Sequence, residues 1–278
     1  MTHLLPLIAL LGCTGDPVDS AVVSDPATYT TVFTSLSFSR RNEDQSTVGF
    51  DLDGHVSDAG DDEGCGHADL VDPNGVPGID SAFSGMVPAL EATEAAAVAG
   101  LIQDSIQNGQ LVLLVELSGV DDPVNDDCVD VRVIRGAGTP MIGTDGVMLD
   151  GQTFGVLPGS TPSELTCIPL VDGAIDAGPF ALTLDFQVLD VALSFHMTGA
   201  SIHLALSPDG RTATGYFGGY VPVADILVIV DEGDLADIAD LVRSLVNAAA
   251  DLAPNEEGSC DAISVVFDYG GIEAFVGE

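Results

Sequence analysis

Residues Phe180–Tyr220 read FALTLDFQVLDVALSFHMTGASIHLALSPDGRTATGYFGGY. Apolar side chains occupy every second position at Phe180, Leu182, Leu184, Phe186 and Val188, then again at Val191, Leu193, Phe195 and Met197. A period of two sends alternate side chains to opposite faces, so each run reads as a half-buried strand. The phase slips at Leu189-Asp190, which predicts a β-bulge. Beyond Gly199 the alternation resumes at Ala200, Ile202, Leu204 and Leu206. It stops at Ser207-Pro208-Asp209-Gly210 and reopens over Thr212–Tyr220, with Asp209-Gly210 as a tight turn. The whole stretch predicts a meander of antiparallel strands.

Working outward, the same alternation recurs at Val32, Thr34, Leu36 and Phe38, at Val48, Phe50 and Leu52, and at Val129, Val131 and Val133. Two segments break it. From Asp234 to Ala253 the apolar residues Leu235, Ile238, Val242, Leu245, Ala249 and Leu252 recur at helical spacing, and Pro254 stops the run. Ala89 to Asn108 reads as a second amphipathic helix, with Glu91 and Glu94 in its first turn and Gly109 just beyond its end. Strands outnumber helices, so the expected class is mainly β (α+β), an antiparallel β-sandwich or partly closed barrel with two amphipathic helices. A transmembrane β-barrel is disfavoured, because helices interrupt the strands and a chain with no Trp and four Tyr lacks aromatic girdles.

The 278 residues carry 44 acids, 33 of them Asp, against six bases, all Arg, for a net charge of −38. Nucleic-acid and anionic-membrane binding both begin with clustered Lys and Arg, so both are excluded as electrostatic partners. An Asp-rich surface suits a high-salt medium or hard divalent cations.

The N-terminus carries an address. Leu4–Leu11 (LLPLIALL) is too short to span a bilayer and reads as the apolar core of a signal peptide. Leu10-Leu11-Gly12-Cys13 resembles the lipobox of bacterial lipoproteins, and that resemblance implies lipidation of Cys13 after removal of residues 1–12. Thr14, which is not Asp, then implies sorting to the outer membrane. Residues 13–27 read as a lipidated tether and 28–278 as a single mainly β domain. The membrane is thus a partner through the lipid anchor only.

With Cys13 carrying lipid, Cys65, Cys128, Cys167 and Cys260 remain, and an oxidising compartment predicts two disulfides. Of three pairings we favour the nested one, Cys65 with Cys260 and Cys128 with Cys167. It would join an Asp/Gly-rich loop to the C-terminal segment and clamp the middle.

That loop, Asp51–Ala82, reads DLDGHVSDAGDDEGCGHADLVDPNGVPGIDSA. Asp69, Asp72, Asn74 and Asp80 surround Gly75 and Gly78, and short carboxylates alternating with glycines suit calcium. The segment resembles a degenerate calcium loop of the EF-hand or thrombospondin type 3 kind, without the third ligand position or the final Glu. Asp51-Leu52-Asp53-Gly54, with Asp58 beyond, is a second half-match. Asp121, Asp122, Asp126 and Asp127 read as a solvated loop. Residues 65–110 also resemble uncharacterised acidic surface lipoproteins of myxobacterial type, a resemblance that implies a location and no activity.

Zinc would need His55, Cys65 and His67, a set that collapses once Cys65 is oxidised. His196 and His203 are placed on opposite strands of a hairpin around Gly199. The chain has no GxSxG, HExxH, GxGxxG or Walker A motif, and no catalytic residue is assigned. The expected function is a non-enzymatic outer-membrane surface lipoprotein with a disulfide-stapled, calcium-stabilised β domain in a structural or interaction role. The alternatives are a carrier of an apolar ligand and, less favoured, a carboxylate- or metal-dependent hydrolase.

Overall fold

The computed structural model describes residues 26–62, 64–93, 96–188, 191–232 and 239–277; the expected signal peptide, Cys13 and nearly all of the tether lie outside the described residues. The strands are β1 (Ala27–Phe38), β2 (Leu70–Val71), β3 (Pro77–Ile79), β4 (Leu113–Val120), β5 (Asp126–Ala137), β6 (Gln152–Val156), β7 (Ser163–Val171), β8 (Ala174–Val188), β9 (Val191–Leu206), β10 (Thr212–Pro222), β11 (Leu252–Pro254) and β12 (Cys260–Gly277). The helices are α1 (Val87–Glu91), α2 (Ala97–Gln107), α3 (Val223–Glu232) and α4 (Ala239–Ala249), with a 3-10 turn at Ala82–Gly85 before α1.

Eight strands form a ring in the order β1, β4, β5, β7, β8, β9, β10, β12 and back to β1, every neighbour antiparallel. The mainly β expectation therefore resolves to a closed barrel. Closure removes the long free edges that an open sheet would present to other chains. β6 lies outside the ring, antiparallel to β5 and parallel to the end of β12.

Two neighbouring rows of residues show how alternation sorts the chemistry. Ala177, Ile202, Phe217 and Phe267 stand opposite one another on β8, β9, β10 and β12, and all four are buried. One residue away on the same strands, Asp176, His203, Tyr216 and Asp268 form the row on the outer wall. Inside, Phe33 stacks on Tyr269 with ring centres 4.0 Å apart, and Phe217 lies 5.3 Å from Phe267 and 5.9 Å from Phe33. The barrel is thus filled by side chains at this level. Phe217→Ala should cost about 3–5 kcal/mol, the range for an aromatic deleted from a tight core. It would be read as a lower urea midpoint with an unchanged slope; a loss below about 1 kcal/mol would mean that the ring is not part of a packed core.

α2 touches β1 and β8, which lie on opposite sides of the ring, so it crosses an end of the barrel. Its Gln103 Nε2 donates to the Thr34 carbonyl, 2.9 Å. α3 packs on β9, β10 and β12 and against α4, and Ile102, Ile106, Ile226, Val230, Val242 and Val246 join the barrel interior in one core.

Several expectations change. The slip at Leu189-Asp190 is a hairpin rather than a bulge: Val188 pairs with Val191, and the two residues between lie outside the described residues. Gly199 is no hairpin. It sits inside β9 with φ +59°, so His196 and His203 share one strand. The expected helix over 89–108 is divided between α1 and α2, with Glu91 closing the first, and Glu94 lies outside the described residues. The later helix is described from Ala239 to Ala249, while Leu252 and Ala253 belong to β11. Val48, Phe50 and Leu52 form no strand; Phe50 makes a single bridge to Asp80.

Between β1 and α1 runs a 48-residue strap, residues 39–86, laid over the outer face of β12. Ser39 N donates to the Val266 carbonyl at 2.9 Å and Ala82 N to Ser264 Oγ at 2.7 Å. Beneath it Ile79 and Val266 close around Gly49, where a Cβ would sit 2.7 Å from Ile79 Cγ2. Cys65 of the strap is bonded to Cys260 at the start of β12, and Cys128 of β5 to Cys167 of β7.

Candidate functional site

The strap folds because its aspartates serve its own backbone. Asp51 Oδ1 accepts from Gly54 N (2.7 Å) and His55 N (3.1 Å), and Asp53 Oδ1 accepts from His55 N (2.9 Å). Asp80 Oδ2 accepts from Leu52 N at 2.7 Å, pinning the first part of the strap to its end. Asp69 Oδ2 holds Ser57 N, also at 2.7 Å. These are short-range turn devices that stand in for a strand ladder.

Their geometry concentrates charge. One carboxylate oxygen from each of Asp51, Asp53 and Asp80 lies within 4.8 Å of the others. Asp51 and Asp53 are exposed, whereas Asp80 is 2% exposed. Burial, against the Leu52 N–H and with the charges of Asp53, Asp251 and Asp69 adding to it, pushes the Asp80 carboxyl up to about 8. Asp251 sits between α4 and β11 and accepts from Ser264 N at 2.8 Å and Ser264 Oγ at 2.5 Å. Its burial raises it to about 6 despite those two bonds, with Asp69 adding to the rise. Asp69 is also raised, by burial first and then by Asp53 and Asp51. Such a group can keep a proton or exchange it for a hard cation, because either relieves the crowded negative charge.

The four residues expected to bind metal do not form one set. Asp80 joins Asp51 and Asp53, with Asp69 nearby. Asp72 and Asn74 make a separate turn in which Asp72 Oδ1 accepts from Asn74 N (2.8 Å) and Val76 N (2.7 Å). The backbone N–H of Val76 holds the Asp72 carboxyl below its usual range, the reverse of Asp80. His55, Cys65 and His67 lose their sulfur ligand to the Cys65–Cys260 bond. Asp126 closes its own loop, accepting from Asp121 N at 2.7 Å and Cys128 N at 3.0 Å.

The histidines of β9 each meet one acid on the outer wall: His196 Nδ1 lies 3.0 Å from Asp225 of α3, and His203 Nδ1 lies 2.7 Å from Asp176. His203 also stacks on Tyr216 at 4.8 Å.

Asp51 and Asp53 were visible as an Asp-x-Asp-Gly turn, but nothing local tied them to Asp80. Asp251 gave no signal at all, standing on what reads as the polar face of a helix.

Beside this centre, Asp69 and Asp251 open onto a cleft of about 330 Å³ between the strap, the 3-10 turn and the end of α4. The chain matches no protein-family model, and no curated protein or solved structure matches it.

Proposed function

We propose that this chain is a lipoprotein anchored in the outer membrane through Cys13, whose disulfide-stapled barrel serves a structural or interaction role outside the cytoplasm and is stabilised by calcium. The observation that carries this reading is the Cys65–Cys260 bond. It ties the strap to the last strand, and structural disulfides persist in oxidising compartments. Radiolabelled palmitate fed to a Gram-negative host expressing the full chain should enter the protein, and Cys13→Ala should abolish the label. An unlabelled parent would overturn the anchor.

What supports calcium is the triad, in which two exposed carboxylates and one buried one offer hard oxygens at one point. In millimolar calcium against chelator, at constant ionic strength, the disulfide-intact protein should gain about 2.7 kcal/mol if calcium stands at 100 times its Kd, several degrees in Tm. Asp51→Asn/Asp53→Asn should erase the gain. An equal rise with sodium chloride alone would assign the acids to solvation.

A further inference from the structure

The cleft beside the acidic centre carries charges of both signs over an apolar floor. Arg41 stands at one wall, its Nε donating to Ser84 Oγ at 3.3 Å and its guanidinium laid against Gly85, where a Cβ would come within 2.8 Å of Nη2. At the end of α4, Asp251 is 8% exposed, and Asp69 of the strap lies close enough to raise it. Ser81 also lines the cleft; it is 1% exposed, and its Oγ has no hydrogen-bond partner among the described residues. Ile79 and Leu245 supply apolar wall. A volume of about 330 Å³ is at the small end of ligand pockets, which run from about 300 to 1,000 Å³.

A buried carboxylate is costly unless something positive meets it, and a buried hydroxyl without a partner is costly in the same way. The charges that move Asp69 are those of Asp53, Asp51 and His55, and the charge that moves Asp251 is that of Asp69. Arg41, beside Ser84 and Gly85 of the same cleft, is not among them, which leaves a positive and a negative pole for a ligand that carries both charges. We propose that this cleft binds a free α-amino acid with an aliphatic side chain, its carboxylate on Arg41, its ammonium between Asp69 and Asp251, and its side chain against Ile79 and Leu245. Near neutral pH the Asp251 carboxyl, with its value of about 6, is mostly ionised and can hold an ammonium.

Isothermal titration of the full, disulfide-intact chain at constant calcium tests this with three probes. L-Leucine should bind saturably. N-acetyl-leucine, which lacks the ammonium, and leucinamide, which lacks the carboxylate, should each bind at least about tenfold more weakly. Arg41→Met should bring leucine down to the affinity of leucinamide while leaving the preference over N-acetyl-leucine. Asp251→Asn should do the converse. If Asp251→Asn fails to fold, the three-probe series on the parent and Arg41→Met still decide. No saturable heat from leucine, equal binding of leucine and leucinamide, or an Arg41→Met variant indistinguishable from the parent would overturn the proposal.

Discussion

Replacing Cys65 and Cys260 together by serine should lower the unfolding free energy by about 5 kcal/mol. The bond spans 195 positions, and the loop-closure entropy it withholds from the unfolded chain grows with the logarithm of that span. The same arithmetic for Cys128–Cys167, separated by 39, gives about 4 kcal/mol. Domains have a total of only about 5–15 kcal/mol to lose. The double variant should therefore unfold at much lower urea, and the strap should become the first segment to exchange its amides. Its other ties include Ser39 N on β12, Ala82 N on Ser264, the Ile79–Val266 contact around Gly49, the Phe50–Tyr216 and Phe83–Phe38 ring contacts and the Arg40–Glu91 ion pair. A loss of less than about 1 kcal/mol would show that these ties dock the strap without the bond.

Asp80→Asn should remove part of the pH dependence of stability. Unfolded, this carboxyl loses its proton near 3.8; folded, it keeps it to about 8 because burial and the charges of Asp53, Asp251 and Asp69 disfavour the anion. Between those values the folded state binds more protons, so stability is full below about 4 and declines as the pH rises toward 8, by about 1.4 kcal/mol for each pH unit. The accumulated loss is several kcal/mol, on the order of 5. Asp251, raised to about 6, works in the same direction over the lower part of the window. Asparagine keeps an oxygen for Leu52 N and cannot ionise. In chelator the variant should match the parent near pH 4 and exceed it near pH 8, and calcium should flatten the parent's decline by stabilising the ionised form. Parallel curves for variant and parent would sink this account.

How far the fold could be read depended on where its hydrogen bonds go. β8, β9 and β10 announce themselves because a strand with one wet face must alternate. The join of β8 to β9 did not, since a Leu-Asp dipeptide lacks the Gly or Asn that marks a tight turn, and a one-residue change of phase then looks like a bulge. Gly199 misled in the opposite sense: its positive φ serves an irregularity within β9. The division of α1 from α2 runs through Ala-rich sequence whose propensity favours an unbroken helix. Closure of the ring was invisible, because it rests on β1 meeting β12, and no local pattern encodes a partner so distant. The acidic centre was half legible for the same reason. Aspartate density pointed to the strap, but it was the Phe50–Asp80 bridge that chose which aspartates meet.

That last closure also constrains how the molecule is made. Thr31 pairs with Glu273, so the ring has no seam to close until almost the whole chain has emerged. Contacts this remote are slow to form, because the chain must give up loop entropy before any pairing rewards it. Synthesis must therefore reach the last strand before the barrel can close, and until then its strands stand without a complete set of neighbours.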